Sequence, residues 1–143
     1  MDRLPTLLYV SGLFTLLLGI AHFFFPILFD FQAAIPKQGD PLKPFRLGPI
    51  RYQTQRSDVF GIAWVMSNAA SYALVTIGLL DLCWTLWMGQ SFARLLFLWI
   101  AGWWFLRAVS QLFLGHRRLD WLILFGFAAL GFLHLIIALT LTS

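Results

Sequence analysis

The 143-residue chain is 60% hydrophobic, only 11% charged and carries a net charge of +4. A soluble domain has about 25% charged residues. Here the apolar residues come in long runs instead of a 3.6-residue stripe, which argues against a large soluble core and for a bilayer protein. The basic residues cluster in loops between those runs, as the positive-inside rule requires, and no nucleic-acid motif accompanies them. Cys83 is the only cysteine, which excludes an intrachain disulfide and any multi-cysteine metal site.

Four apolar segments are long enough to cross a hydrocarbon layer of ~30 Å. They run from about 7 to 29, 59 to 80, 93 to 114 and 121 to 141. The N-terminal segment imitates a signal peptide, but its apolar run is longer than the ~7–15 residues of a signal h-region, so it reads as a mature helix. A lipid-facing backbone must be helical or a closed barrel, and these runs lack barrel alternation. The predicted fold class is therefore all-α, an antiparallel four-transmembrane-helix bundle, with residues 1–143 forming a single membrane domain.

The connections differ sharply. Residues 30–58 carry Pro36, Pro41, Pro44 and Pro49 with Gly39 and Gly48, a density that forbids a long regular helix and predicts a polar loop. The second connection, DLCWTLWMGQSF, is short and aromatic, and Trp84 and Trp87 suit the headgroup belt. The third, GHRRLD, is a tight turn. The first and third loops hold Lys37, Lys43, Arg46, Arg51, Arg56, Arg117 and Arg118, against Arg3 and Arg94 on the other side. This asymmetry places the first and third loops in the cytoplasm and both termini outside. The two hairpins differ in loop length and composition, and no internal repeat is legible.

Polar residues inside the spans are the candidates for function. At ~1.5 Å per residue, His22, Asn68 and Arg107 fall in one layer, ~12–15 Å from the side of the first and third loops. Tyr72 and His134 fall in a second layer, ~21 Å deep, where phenol and imidazole are expected to meet. Helical spacing gives each span one mixed stripe. The stripes are Gly12, Thr15, Gly19, His22 and Pro26; Gly61, Trp64, Asn68, Ser71 or Tyr72, and Val75; Trp103, Arg107 and Gln111; and Phe127, Gly131, His134 and Ala138. Two readings stand side by side. Asn68, Ser67 and Ser71 serve as interhelical glue at ~0.6 kcal/mol a bond, or His22, Asn68, Tyr72, Arg107, Gln111 and His134 line a ligand site. The acids, Asp2, Asp30, Asp40, Asp58, Asp81 and Asp120, all lie at or beyond the predicted span ends, so an inward Arg107 needs Asn68, Gln111, carbonyls, water or a ligand.

Bis-histidine haem ligation is disfavoured, since His22 and His134 differ in depth by ~9 Å. A quinone, or a pigment held by one histidine, fits the abundant Phe and Trp. No GxSxG motif, buried carboxylate–histidine pair or set of three metal ligands is present, so the chain reads as no recognisable enzyme. A channel role lacks a ring of charges or a carbonyl filter.

The segment GLFTLLLGIAHFFFPILF, with Gly19, His22 and Pro26, resembles the first helix and exit of DoxX-like membrane proteins. The resemblance covers the first helix; the proline-rich loop and DVFGIAWVMSNAASY do not map onto that family. It implies a prokaryotic inner-membrane protein, with some relatives linked to quinone-dependent redox chemistry. The function expected is that of a small integral membrane protein with a structural role, an accessory subunit of a larger complex or a homo-oligomer. The alternative is a DoxX-like protein holding a lipophilic ligand (quinone, lipid or pigment) in an intramembrane pocket.

Overall fold

The computed structural model describes residues 3–40, 42–113 and 117–141. Four long helices dominate: α1 (Leu4–His22), α4 (Arg56–Leu82), α5 (Ala93–Ser110) and α6 (Arg118–Thr140). Two short ones, α2 (Phe25–Leu28) and α3 (Phe31–Ala34), follow α1. A 3₁₀ turn at Gln111–Phe113 extends α5, and another at Trp84–Leu86 lies in the second connection. All four long helices are apolar and long enough to cross a membrane, and no more than 33% of any span is buried inside the protein. The remaining faces expose Leu13, Leu17, Val65, Leu95, Phe125, Ile136 and similar side chains, the surface that hydrocarbon wets without cost.

The helix limits have local causes. Pro5 lies at the start of α1, where its missing N–H breaks no helical bond. α1 ends at His22, seven residues before the limit predicted at Phe29. Pro26 has no N–H to offer the His22 carbonyl, and its ring crowds that carbonyl, so the chain turns through Phe23 and Phe24 before α2. At the start of α4, Asp58 Oδ2 accepts the Gln55 backbone N–H at 2.8 Å. At the start of α6, Asp120 Oδ2 does the same for Arg117 at 2.8 Å. α4 begins three residues before the predicted Val59 and runs to Leu82, past the predicted Leu80. The third span's predicted limit, Leu114, lies outside the described residues.

The proline-rich loop contains a small antiparallel hairpin, β1 (Phe45–Leu47) and β2 (Ile50–Tyr52), with Arg46 opposite Arg51. Gly48 turns it at φ +58°, a conformation that favours glycine. Asp30, at φ 44°, caps α3 by accepting the Ala33 N–H at 3.2 Å. Arg56 Nε donates to the Asp40 carbonyl at 3.1 Å, and Lys37 Nζ stands 4.2 Å from the centre of the Phe60 ring. These contacts tie the loop to the start of α4.

Where the sequence reading treats the chain as one membrane domain, its contacts gather into two compact units, residues 1–82 and 83–143. The first is built on α1 and α4. Ser11 meets Asp81, Gly12 meets Gly78, Gly19 meets Val75 and His22 meets Ser71, an antiparallel pair with a seam of small and polar residues. The approach is close: a Cβ on Gly78 would lie 2.6 Å from the backbone N of Leu16, and one on Gly19 would lie 2.7 Å from that of Val75. Only hydrogen fits at either position.

The second unit is built on α5 and α6, also antiparallel, and its seam is aromatic. Phe97 faces His134 with ring centres 6.0 Å apart, Trp104 packs on Phe127 at 5.2 Å, and Phe105 meets Phe132 edge-on at 5.1 Å. Trp87 closes over Phe97 at 4.7 Å. Gly131 gives way to the Phe105 ring, which a Cβ there would meet at 2.8 Å.

Although no repeat is legible in the sequence, the two helical pairs share one register of burial. Leu8, Ser11, Gly12, Thr15, Gly19 and His22 on α1 correspond at a constant offset to Phe97, Ile100, Ala101, Trp104, Ala108 and Gln111. Ser67, Ser71, Leu74, Ile77 and Gly78 on α4 correspond in the same way to Phe127, Gly131, His134, Ile137 and Ala138 on α6. The positions match while the side chains do not, so the match is invisible to a comparison of residues.

Candidate functional site

In the first unit, the polar groups are arranged along the α1–α4 seam. Ser71 Oγ donates to the Ser67 carbonyl one turn earlier, at 2.8 Å. That uses its one proton, so at the 3.1 Å contact His22 Nδ1 carries the hydrogen and donates to Ser71 Oγ. Phe25, after the helix break, lies against the imidazole with ring centres 4.3 Å apart. His22 therefore sits at the C-terminal end of α1, buried, with its tautomer set by a serine of α4. Asn68, expected in the same layer, is half-buried on the flank of that seam, one turn before Ser71. Tyr72, one residue after Ser71, has 71% of its surface exposed.

The other end of the seam holds a pair that the sequence reading did not single out. Asp81 is fully buried, and Ser11 Oγ donates to its Oδ2 at 2.9 Å. The reading placed every acid at or beyond the end of a span, but α4 runs on to Leu82 and carries Asp81 inside the helix. The available signal was the stripe itself: Ser11 lies one position before Gly12, and Asp81 lies three after Gly78, on the faces that meet. Thr15 Oγ1 and Ser67 Oγ are buried without a hydrogen-bond partner in the same unit. The seam of α4 thus runs through Ser67, Ser71, Leu74, Gly78 and Asp81; of the predicted stripe, Ser71 is buried in it and Val75 meets Gly19, while Trp64 and Asn68 are half-buried. The α1 and α6 stripes fall where helical spacing predicts.

In the second unit, His134 is fully buried, and its Nδ1 donates to the Leu130 carbonyl of its own helix at 2.7 Å. A carbonyl only accepts, so Nδ1 carries the proton. Arg107 is half-buried, with its guanidinium carbon 5.8 Å from the centre of the Phe127 ring. Its Nε is buried and has no hydrogen-bond partner. His134 is opposite Phe97 while Arg107 lies ten residues further along α5, so the two occupy levels ~15 Å apart within this unit. Gln111 is buried one turn beyond Arg107, in the 3₁₀ extension. It lines a shallow surface groove together with Leu112, Asp120, Trp121 and Leu124.

The chemistry these groups can perform is limited. Among the described residues, no three His, Cys, Asp or Glu side chains gather where a metal ion could be held. His22 is hydrogen-bonded to a serine and His134 to a backbone carbonyl, and neither of these two bonds brings a carboxylate to orient the imidazole as a base. Buried Ser11 and Asp81 face each other across two helices, an arrangement suited to holding them together. No family model matches the chain, and no curated protein or solved structure is similar to it.

Proposed function

We propose that the chain is an integral membrane protein with a structural role. Its four long helices form an antiparallel membrane bundle that works by packing against copies of itself or, as an accessory subunit, against a larger membrane complex. The proposed setting is a prokaryotic plasma membrane, with the first and third loops in the cytoplasm. The Gly19, His22 and Pro26 pattern fits a small DoxX-like protein of this kind.

Tyr72 carries the reading. It sits well inside α4, ten residues from Leu82 and sixteen from Arg56, so its Cα lies ~15 Å from the nearer helix end. Its side chain is 71% exposed. In a bilayer, a phenol at that depth would leave its O–H facing hydrocarbon, where an unsatisfied polar group costs several kcal/mol. A neighbouring protein surface that accepts the hydroxyl removes that cost. The polar seam between α1 and α4 supports the same reading, since its hydrogen bonds run between the two helices and hold them in register.

The test is the stoichiometry of purified protein in nanodiscs, by native mass spectrometry, beside a cross-linked sample from its own membrane. A self-associated wild type, or a defined larger assembly in the native membrane, is expected. Tyr72→Phe, which removes only the hydroxyl, should shift either assembly toward the single chain. A single chain in both preparations would refute the proposal.

A further inference from the structure

The second unit carries a set of hydrogen-bond donors for which the described residues supply no acceptor. Trp103 Nε1, Trp104 Nε1 and Arg107 Nε are all buried and all without a partner. They occupy one turn of α5: Trp103 and Arg107 are four apart, and Trp104 and Arg107 are three apart, so both indoles stand one turn before the guanidinium on its own side of the helix. Trp104 has no exposed surface. Phe127 gathers two of them, with the Trp104 ring 5.2 Å from its centre and the Arg107 guanidinium carbon 5.8 Å away. Buried donors without partners are rare, because each forfeits its solvation for nothing.

These groups share a chemical preference. All three atoms donate and none accepts, and the guanidinium adds a full positive charge. The only acid among the described residues of this unit, Asp120, already accepts the Arg117 backbone N–H at 2.8 Å. A neutral carbonyl would satisfy at most two donors and leave the charge uncompensated. An oxyanion satisfies several donors and neutralises the guanidinium, with which it pairs in a fork geometry.

Position selects the source of that oxyanion. Arg107 lies six residues before Phe113, the end of the 3₁₀ extension, on the order of 9 Å below the end of the helix. A long arginine side chain spans much of that distance. The turn at the same end carries exposed Arg117 and Arg118, which raise the local positive potential where anionic headgroups lie. The surface beside it is lined by Gln111, Leu112, Asp120, Trp121 and Leu124. We infer that Arg107, with the Trp104 and Trp103 indoles, forms a binding site for the phosphate of an anionic phospholipid at the Arg117–Arg118 end of the α5–α6 hairpin.

The experiment is native mass spectrometry of the full chain released from detergent containing equal amounts of phosphatidylglycerol and phosphatidylcholine with the same acyl chains. Wild type should retain one phosphatidylglycerol in preference to phosphatidylcholine by about tenfold, as a charge-assisted contact predicts. Arg107→Leu should abolish the preference. Trp104→Phe keeps the aromatic packing, removes only the N–H, and should lower retention about threefold; it remains informative if the arginine variant does not fold. Arg94→Gln, at the far end of α5, should leave retention unchanged. Equal retention of the two lipids by wild type, or unchanged preference in both the Arg107 and Trp104 variants, would overturn the site. Displacement of phosphatidylglycerol by millimolar inorganic phosphate would overturn the lipid assignment in favour of a free oxyanion.

Discussion

Replacing Gly78 with alanine tests the packing of the first unit at its tightest point. The added methyl would lie 2.6 Å from the Leu16 N, 2.8 Å from the Leu16 Cα and 2.9 Å from the Gly12 carbonyl oxygen. All three are backbone atoms, so no rotamer change relieves the clash. Ordinary contact begins at 3.4 Å, which forces α1 and α4 apart locally by about 0.8 Å. The same displacement would stretch the 2.9 Å Ser11–Asp81 bond, one turn away, toward about 3.7 Å, beyond hydrogen-bonding range. Overpacking of this kind costs ~1–3 kcal/mol, and an interhelical bond in a membrane adds ~0.6 kcal/mol. Against this stands the helix-propensity gain of alanine over glycine, at most ~1 kcal/mol in water. A net loss of about 1–3 kcal/mol is expected. Gly61→Ala, with nothing within 4 Å of the new methyl, is the matched control and should be neutral or slightly stabilising. Steric-trap unfolding in bicelles measures both. If Gly78→Ala were as stable as Gly61→Ala, the close α1–α4 approach would be refuted.

Ser11→Ala removes a donor to buried Asp81 and should destabilise by ~1–3 kcal/mol in the same assay, while Asp81→Asn, which still accepts from Ser11, should cost less. Ser71→Ala takes from His22 the acceptor for its Nδ1 proton; the expected signature is a shifted and broadened imidazole resonance in ¹⁵N-labelled protein, and an unchanged spectrum would contradict the assigned contact. The proposed orientation puts the second connection outside the cell, and exposed Cys83 lies in it. A membrane-impermeant maleimide should therefore label Cys83 in intact cells. Labelling only after permeabilisation would invert the topology.

Chain-level properties were legible in the residues. The positions of the four spans follow from unbroken apolar runs, since a backbone in hydrocarbon has few ways to satisfy itself. The stripe on α1 is readable because Gly12, Thr15, Gly19 and His22 differ from the Leu, Ile and Phe around them, and the stripe on α6 is readable for the same reason. On α4 the same method left Ser71 and Tyr72 as alternatives, and Ser71 is the one that is buried. Asn68 and Tyr72 are conspicuous by polarity, yet the seam passes through Ser67 and Ser71, whose small size brings the helices together.

Tertiary structure decided which polar groups meet. Equal depth suggested His22 with Asn68 and Tyr72 with His134. In the fold, His22 bonds Ser71, and His134 bonds a carbonyl of its own helix. Depth is one coordinate, and partnership also depends on rotation about the helix axis, which packing sets. Asp81 shows the same dependence. One residue from the end of α4, it reads as a solvated terminal acid until Gly12 and Gly78 draw the helices close enough for Ser11 to cover it. The shared burial register of the two helical pairs is a further property of packing, carried by position along the helix and not by residue identity. Composition thus determined which helices are long and apolar enough to cross a membrane, and helix rotation and close approach determined what touches what.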